Sequence, residues 1–378
     1  MKTYNFSAGP CILPKEVLMK ASAAVLDFEY NLSLIEISHR SYAFVDVMDK
    51  AVNLVKELLE VPEGYSVLFL QGGASLQFTM VAMNLMRNKQ SAAYLNTGTW
   101  SSKAIKEAER FGKVYIVGDS SDKNFNYIPK RYKLPTNDVG GPVVDYIHCT
   151  SNNTIYGTQM RKFPERQNDI KIVCDMSSDI FSRRIDVSEF DLIYAGAQKN
   201  MGPAGATLVI VKDKILSNNR SDIPTMLNYQ THIEKKSMFN TPPVFSIYVS
   251  MLTLQWLKDN GGVDAIEKIN EKKAKLLYDE IDRNELFYGT AEIEDRSNMN
   301  VCFLLEDTFN NLEEDITKEL ESDFDNLCDE AGIVGIKGHR SVGGYRASIY
   351  NAMSIEGIEI LISVMQKLET KYLDRKYD

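Results

Sequence analysis

Histidine and tryptophan are scarce in this chain, with four of the first and two of the second among 378 residues. The five cysteines stand singly at positions 11, 149, 174, 302 and 328, with no CxxC pair and no histidines at zinc-ligand spacing. That pattern argues against a disulfide framework and against a structural metal. Long apolar runs are missing as well; nothing approaches the roughly 18 residues of a membrane-spanning helix. The opening MKTYNFSAGP lacks the basic-then-apolar build of a secretory leader, so a cytoplasmic location is expected. Positive charge is in deficit, with a net charge of −9 and an isoelectric point near 5.2. Nucleic acid or an anionic membrane would not be attracted at long range, and neither is expected as a partner. Any anionic ligand must be held by a local cluster of basic side chains.

The chain does have an ordinary globular balance, 44% hydrophobic and 25% charged, enough for a large core and a smaller one. From about residue 50 to residue 211, short β-rich runs alternate with amphipathic stretches, which predicts an α/β fold with a mainly parallel sheet covered by helices on both faces. The runs are VLFL (67–70), AAYL (92–95), VYIV (114–117), VVDYIHC (143–149), IKIVC (170–174), LIYA (192–195) and TLVIV (207–211). Ligands of such sheets sit beyond the carboxyl ends of the strands. Residues 264–285 predict a long helix, followed by a strand VCFLL (301–305), an acidic helix over 312–331, a strand RASIY (346–350) and a final helix after 354. The expected organisation is a large unit over 16–260 and a smaller α/β unit made of 261–378 with 1–15, the latter an ordered extended arm punctuated by two prolines. The charged run at 313–325 reads as a solvated helix face.

Chemistry-bearing residues gather at those strand ends. Asp175 follows IKIVC directly, and Lys199 comes 24 residues later in AGAQKNMGPAG, just past the next strand. A buried carboxylate can keep a pyridinium nitrogen protonated, and a lysine within reach can form an imine with an aldehyde, the minimum equipment of pyridoxal-phosphate (PLP) chemistry. QGGASLQF (71–78) follows VLFL and opens a helix whose free N–H groups at Ala74 and Ser75 suit a phosphate. It is neither the GxGxxG of dinucleotide folds nor a P-loop. Trp100, in NTGTWSSK between AAYL and a helix, offers a broad face for stacking on a pyridine ring. Thr154, in SNNTIYG, has a hydroxyl for a phenolic oxygen. The required basic cluster has candidates in SHRS (His39, Arg40), KGHRS (His339, Arg340) and YRAS (Arg346), because guanidinium forks match carboxylate and phosphate. Each feature alone also fits a plainer reading: a solvated loop lysine, a capping aspartate, a tight turn, a core tryptophan.

Taken together, NFSAGPCILP, SHRSYAF, QGGASLQF, NTGTWS, SNNTIYG, AGAQKNMGPAG, NTPPVFSIY and KGHRSVGGYRASIYNA run in order from residue 4 to about residue 355. The set resembles the phosphoserine aminotransferase family, class V PLP-dependent enzymes of the aspartate-aminotransferase-like fold type I. The resemblance implies that Lys199 is the Schiff-base lysine and general base, that Asp175 pairs with the pyridinium nitrogen and that Trp100 stacks on the ring. It assigns Ala74, Ser75 and Gln198 to the cofactor phosphate, and Thr154 to the phenolic oxygen. Asn240 and Thr241 would reach that phosphate from a neighbouring subunit, which implies a homodimer with shared active sites. Arg346 is assigned to the substrate α-carboxylate, and His39, Arg40, His339 and Arg340 to the substrate phosphate, the first two across the dimer.

The implied reaction is ping-pong: glutamate leaves as 2-oxoglutarate, and 3-phosphohydroxypyruvate becomes O-phosphoserine in serine biosynthesis. The family resemblance also admits phosphohydroxythreonine of pyridoxine biosynthesis. Ser7-Ala8 departs from the small polar or glycine pair of many members, and Ala8 has no hydroxyl for a substrate. The alternatives are an alanine–glyoxylate type aminotransferase, a desulfurase needing a mobile cysteine, and a non-catalytic protein of the same fold.

Overall fold

The computed structural model describes residues 2–137, 140–141, 143–167, 169–216, 222–305 and 314–376. Its strands, in chain order, are β1 (Tyr4–Asn5), β2 (Tyr65–Leu70), β3 (Ser91–Asn96), β4 (Lys113–Asp119), β5 (Tyr146–Thr150), β6 (Asn152–Asn153), β7 (Thr158–Gln159), β8 (Lys171–Asp175), β9 (Leu192–Gly196), β10 (Thr207–Lys212), β11 (Phe287–Gly289), β12 (Asn300–Leu305), β13 (Ile333–Val334) and β14 (Tyr345–Ser348). The helices are α1 (Lys15–Leu26), α2 (Tyr42–Leu58), α3 (Gly73–Leu85), α4 (Thr99–Ala108), α5 (Tyr229–Glu234), α6 (Val244–Asp259), α7 (Gly262–Arg283), α8 (Glu314–Glu330) and α9 (Ile355–Lys376). Among the described residues, no helix is long and apolar enough to cross a membrane.

The central sheet runs β2-β10-β9-β8-β5-β3-β4. β4, β3, β5, β8 and β9 are parallel neighbours, whereas β10 is antiparallel to both β9 and β2. The reversal follows from chain length: only Ala197–Ala206 separates β9 from β10, too few residues for the helical crossover that parallel pairing needs. Successive strand residues feed opposite faces. Phe69, Ala93, Leu95, Ile147, Ile172, Ile193 and Leu208 join a core with α2 and α6, while Leu68, Tyr94, Tyr146, Val173, Tyr194 and Val209 join another with α3 and α4. Burial on both sides explains why these runs read as continuous hydrophobic stretches.

A separate core forms where Ala274, Leu277 and Ile281 of α7 meet Val301 and Phe303, Phe324, and Ile358 and Leu361 of α9, around the antiparallel sheet β11-β12-β14. The arm joins this core through Tyr4 and Phe6, with β1 paired in parallel to β13. Glu313, the start of the charged run, lies outside the described residues.

Candidate active site

Every parallel strand of the central sheet points its carboxyl end toward the same edge, and register decides who meets there. Thr150 at the end of β5 is the partner of Asp175 at the end of β8, and Asp175 is the partner of Tyr194 on β9, two residues before that strand ends. Beyond these ends lies a cavity of about 320 Å³ lined by Ala74, Ser75, Trp100, Thr154, Asp175, Gln198, Lys199, His339 and Arg346, with Ala8 and Gly9 of the arm. A larger hollow of about 920 Å³, between residues 128–133 and 160–167, contains none of these candidates.

The turn into α3 depends on glycine. Gly72 has a φ of 90°, and a Cβ there would fall 2.4 Å from Leu76 Cδ2. Ala74 and Ser75, in the first turn of α3, line the cavity, and no preceding helical turn supplies acceptors for their N–H groups. Trp100 belongs to the first turn of α4 rather than to the loop before it. Gly98 precedes it so closely against the neighbouring loop that a Cβ would sit 2.8 Å from Asn153 Oδ1. Thr99 Oγ1 meets Tyr156 OH at 3.0 Å, which ties the Trp100 turn to the loop carrying Thr154.

Lys199 Nζ donates to Thr154 Oγ1 at 2.8 Å and stands 6.0 Å from the Trp100 ring centroid. Burial pulls its amine down from 10.5 to about 8; Asp175 opposes the drop and Arg346 adds to it. The shift amounts to a penalty on the order of 3 kcal/mol on the charged form. An ordinary lysine would be a poor nucleophile here, and this one is primed. Asp175 is buried, which raises its pKa, while Ser177 opposes that by giving both its N–H (2.9 Å) and its hydroxyl (2.6 Å) to Oδ1. Oδ2 has no partner among the described residues. One oxygen is thus anchored and the other is free for a cationic N–H.

Arg346, on β14, donates from Nη1 to the Thr154 carbonyl at 3.4 Å, while its buried Nε has no partner and no carboxylate pairs with it among the described residues. A half-buried guanidinium with its Nε buried and no carboxylate beside it is suited to receive an anion. His339 holds Ser341 Oγ at 2.7 Å from Nδ1; burial lowers its pKa, and Arg346, Arg340 and Lys103 add to the effect. Arg340 is exposed beside it and does not line the cavity.

The remaining candidates stand apart from the cavity lining. His39 is buried with Nε2 unpartnered, and Arg40 is exposed. Thr241 accepts through its carbonyl from Gln71 Nε2 at 2.9 Å, at the outer side of the α3 entry, and Asn240 is its half-buried neighbour. Several cavity residues were not singled out from sequence, namely Asn152, Ser177, Ser178 and Gly9, and Ala8, set aside for want of a hydroxyl, also lines the cavity. Ser177 had a signal, a hydroxyl two residues after a strand-end aspartate, the spacing of a local side-chain cap. Cys11 is also close, its thiol donating to the Lys199 carbonyl at 2.7 Å, but burial pushes that thiol up to about 12.

A family model for class-V aminotransferases matches residues 3–361. The phosphoserine aminotransferase of Flavobacterium psychrophilum is 59% identical over 373 residues, covering 98% of this chain and all of that one. Among solved structures, a phosphoserine aminotransferase studied for radiation damage of its Schiff base superposes with a TM-score of 0.90 at 46% identity, covering 98% of this chain and 99% of that one. A PLP-bound phosphoserine aminotransferase from Trichomonas vaginalis gives 0.88 at 34% identity, covering 97% and 100%. With a matching family model over nearly the whole chain and a strand-end lysine and aspartate in one cavity, the chain belongs to the class-V aminotransferases.

Proposed function

We propose that this enzyme is a phosphoserine aminotransferase, exchanging the amino group between glutamate and 3-phosphohydroxypyruvate, and that its active site is the cavity holding Lys199 and Asp175. The observation that carries the reading is the meeting, in one buried cavity, of an amine lowered to about 8, a half-anchored carboxylate and the unpaired guanidinium of Arg346. The cavity chemistry fits PLP. Ala74 and Ser75 offer N–H groups to its phosphate, Trp100 a face to its ring, Thr154 a hydroxyl to its phenolic oxygen and Asp175 Oδ2 an acceptor to its ring nitrogen. When bound, PLP supplies an aldehyde for attachment of amino groups and a ring that spreads the electron pair left at Cα.

The chain's own residues do the rest. Lys199 Nζ would be the amine that holds the cofactor aldehyde and, once released by an incoming amino group, the base that moves a proton at the substrate Cα. Asp175 would accept from the ring nitrogen through Oδ2 and so favour its protonated form. Arg346 binds the α-carboxylate, and His339 with Arg340 receives the distal phosphate or, in the other half-reaction, the glutamate side chain. Ala8, Gly9 and Ile155 supply apolar and backbone surface to the cavity wall.

His39, Arg40, Asn240 and Thr241 serve, in this reading, the cavity of a second copy, so the working form is a homodimer. Their absence from the cavity lining of their own chain supports this, as does the unpartnered Nε2 of buried His39. The partition into 16–260 and 1–15 with 261–378 is supported by the separate core around α7, α9 and the arm. A cytoplasmic location is supported by five free thiols, including Cys149 and Cys174 on adjacent strands, which suit a reducing compartment.

Against a desulfurase stands the chemistry of the cysteines. Cys328 is packed in the smaller core and Cys11 is bonded to a carbonyl, and burial pushes both thiols up to about 12, so neither is a ready nucleophile. The deciding experiment is a coupled assay with glutamate against phosphorylated and plain keto acids, phosphohydroxythreonine's keto precursor included. Preference for plain keto acids would overturn the phosphate reading, and the lack of a borohydride-bleached visible band would overturn the PLP reading.

A further inference from the structure

Lys273 has no solvent exposure at all, although it sits in the middle of α7. No carboxylate pairs with it among the described residues. Instead its Nζ donates to three carbonyls, those of Ile349 at 3.0 Å, Tyr350 at 2.8 Å and Met353 at 3.1 Å. A neutral amine has only two N–H groups to give, so this geometry calls for the ammonium form. Burial pulls the amine down to about 7, and the three carbonyl dipoles act against that pull. Replacing such a buried cation by a well-packed apolar residue is often neutral or favourable for stability. Stability alone therefore does not account for it.

The segment it holds reaches the active site at two points. Tyr350 OH donates to the carbonyl of Ala8, which lines the cavity, and accepts from Asn300 Nδ2 at 3.1 Å. The Asn351 N–H donates to Asn200 Oδ1 at 3.0 Å, on the residue that directly follows Lys199. Asn270, one turn before Lys273 on α7, donates to Asn351 Oδ1 at 2.9 Å, and Asn351 Nδ2 donates to the Phe181 carbonyl at 2.9 Å. The same segment continues from β14, the strand carrying Arg346.

We propose that Lys273 is a positioning residue for transamination: by drawing three carbonyls of the 349–353 turn onto α7, it fixes Tyr350 and Asn351, and through Ala8 and Asn200 it sets the place of Lys199 in the cavity. The inference rests on the reading of Lys199 given above. It links the helix that begins the smaller core to the reacting amine without touching substrate or cofactor.

The test is a pH titration of the visible absorbance of the PLP-loaded chain, which reports the surroundings of Lys199 directly. In Lys273→Met the midpoint is expected to move by roughly half a pH unit or more, and in Tyr350→Phe, which cuts the next link, to move in the same direction. Leu277→Ala, a cavity in the smaller core one turn further along α7, is expected to lower the melting temperature and leave the midpoint unchanged. Equal midpoints in Lys273→Met and Leu277→Ala would overturn the inference. Should Lys273→Met fail to fold, Tyr350→Phe decides, and an unmoved midpoint there overturns it. No borohydride-sensitive band in the parent chain would instead sink the reading of Lys199, and the inference with it.

Discussion

Two groups of polar residues meet different fates as this chain folds. Thr154, Asp175, Gln198, Lys199 and Arg346 converge on one cavity, whereas His39, Arg40, Asn240, Thr241 and Arg340 stay outside its lining. Sheet register explains Asp175 and, just past the end of β9, Gln198 and Lys199, since parallel strands in fixed alignment deliver their ends to one edge, while Thr154 comes from the β6–β7 turn and Arg346 from β14 of the smaller sheet. The second group sits on turns before α2, before α6 and before β14, which no ladder aligns with that edge. The contrast is sharpest between two orphaned nitrogens: Arg346 Nε belongs to a residue that lines the cavity, and His39 Nε2 to one that does not. One set forms a reaction centre inside a single chain; of the other, Arg340 stands at the rim of its own cavity beside His339, and His39, Arg40, Asn240 and Thr241 take their role, in the proposed homodimer, at the cavity of a second copy.

The largest effect should come from the centre of the first group. Lys199→Ala is expected to keep the fold and cut turnover by about a thousandfold or more, measured in the glutamate-coupled assay; substantial residual turnover would remove Lys199 from its role. A mixing experiment tests whether the second group acts across an interface. Chains carrying Lys199→Ala and chains carrying Arg40→Ala, each nearly inactive alone, should on joint refolding recover about a quarter of parental activity, because half the dimers hold one intact site of two. No recovery would return Arg40 to its own chain.

A smaller effect is expected at the rim. Arg340→Leu should weaken use of phosphoserine about 10- to 100-fold more than that of an unphosphorylated analogue, the worth of one or two charge-assisted hydrogen bonds. An equal loss for both would show that Arg340 does not read the phosphate. The smallest is a pH effect on loading of the PLP-free chain. Attachment needs the neutral amine, and with Lys199 near 8 its neutral fraction rises about tenfold between pH 7 and pH 9 and then levels. Measured by growth of the visible band, a rate that keeps climbing through pH 10 would mean that the amine is not lowered.

How legible the molecule was depended on the range of the interactions involved. All seven β runs of the central sheet, the α7 and α9 helices and the strand-end positions of Asp175 and Lys199 follow from local pattern, because burial on both faces enforces continuous apolar runs. The reversal of β10 was missed, since an apolar run reads the same in either direction. Trp100 was placed before its helix and lies within it, where the Ser101 hydroxyl accepts from the Thr97 and Gly98 N–H groups at the start of α4. Gly9 has ordinary local sequence and, like Ala8, gains its place only from what folds against it.

Residue types and their order, by themselves, determined the alternation of strands and helices, the turn that only glycine can make at Gly72, and the identity of the groups able to do amine chemistry. Tertiary structure alone decided the lowered amine of Lys199, the half-anchored Asp175, the unpaired Arg346 and the buried cation of Lys273. The physical reason is that a pKa or an unmet hydrogen bond is a property of surroundings. Those surroundings here are assembled from residues far apart in the chain, 76 positions where Lys273 closes on Ile349 and 192 where Arg346 reaches the Thr154 carbonyl.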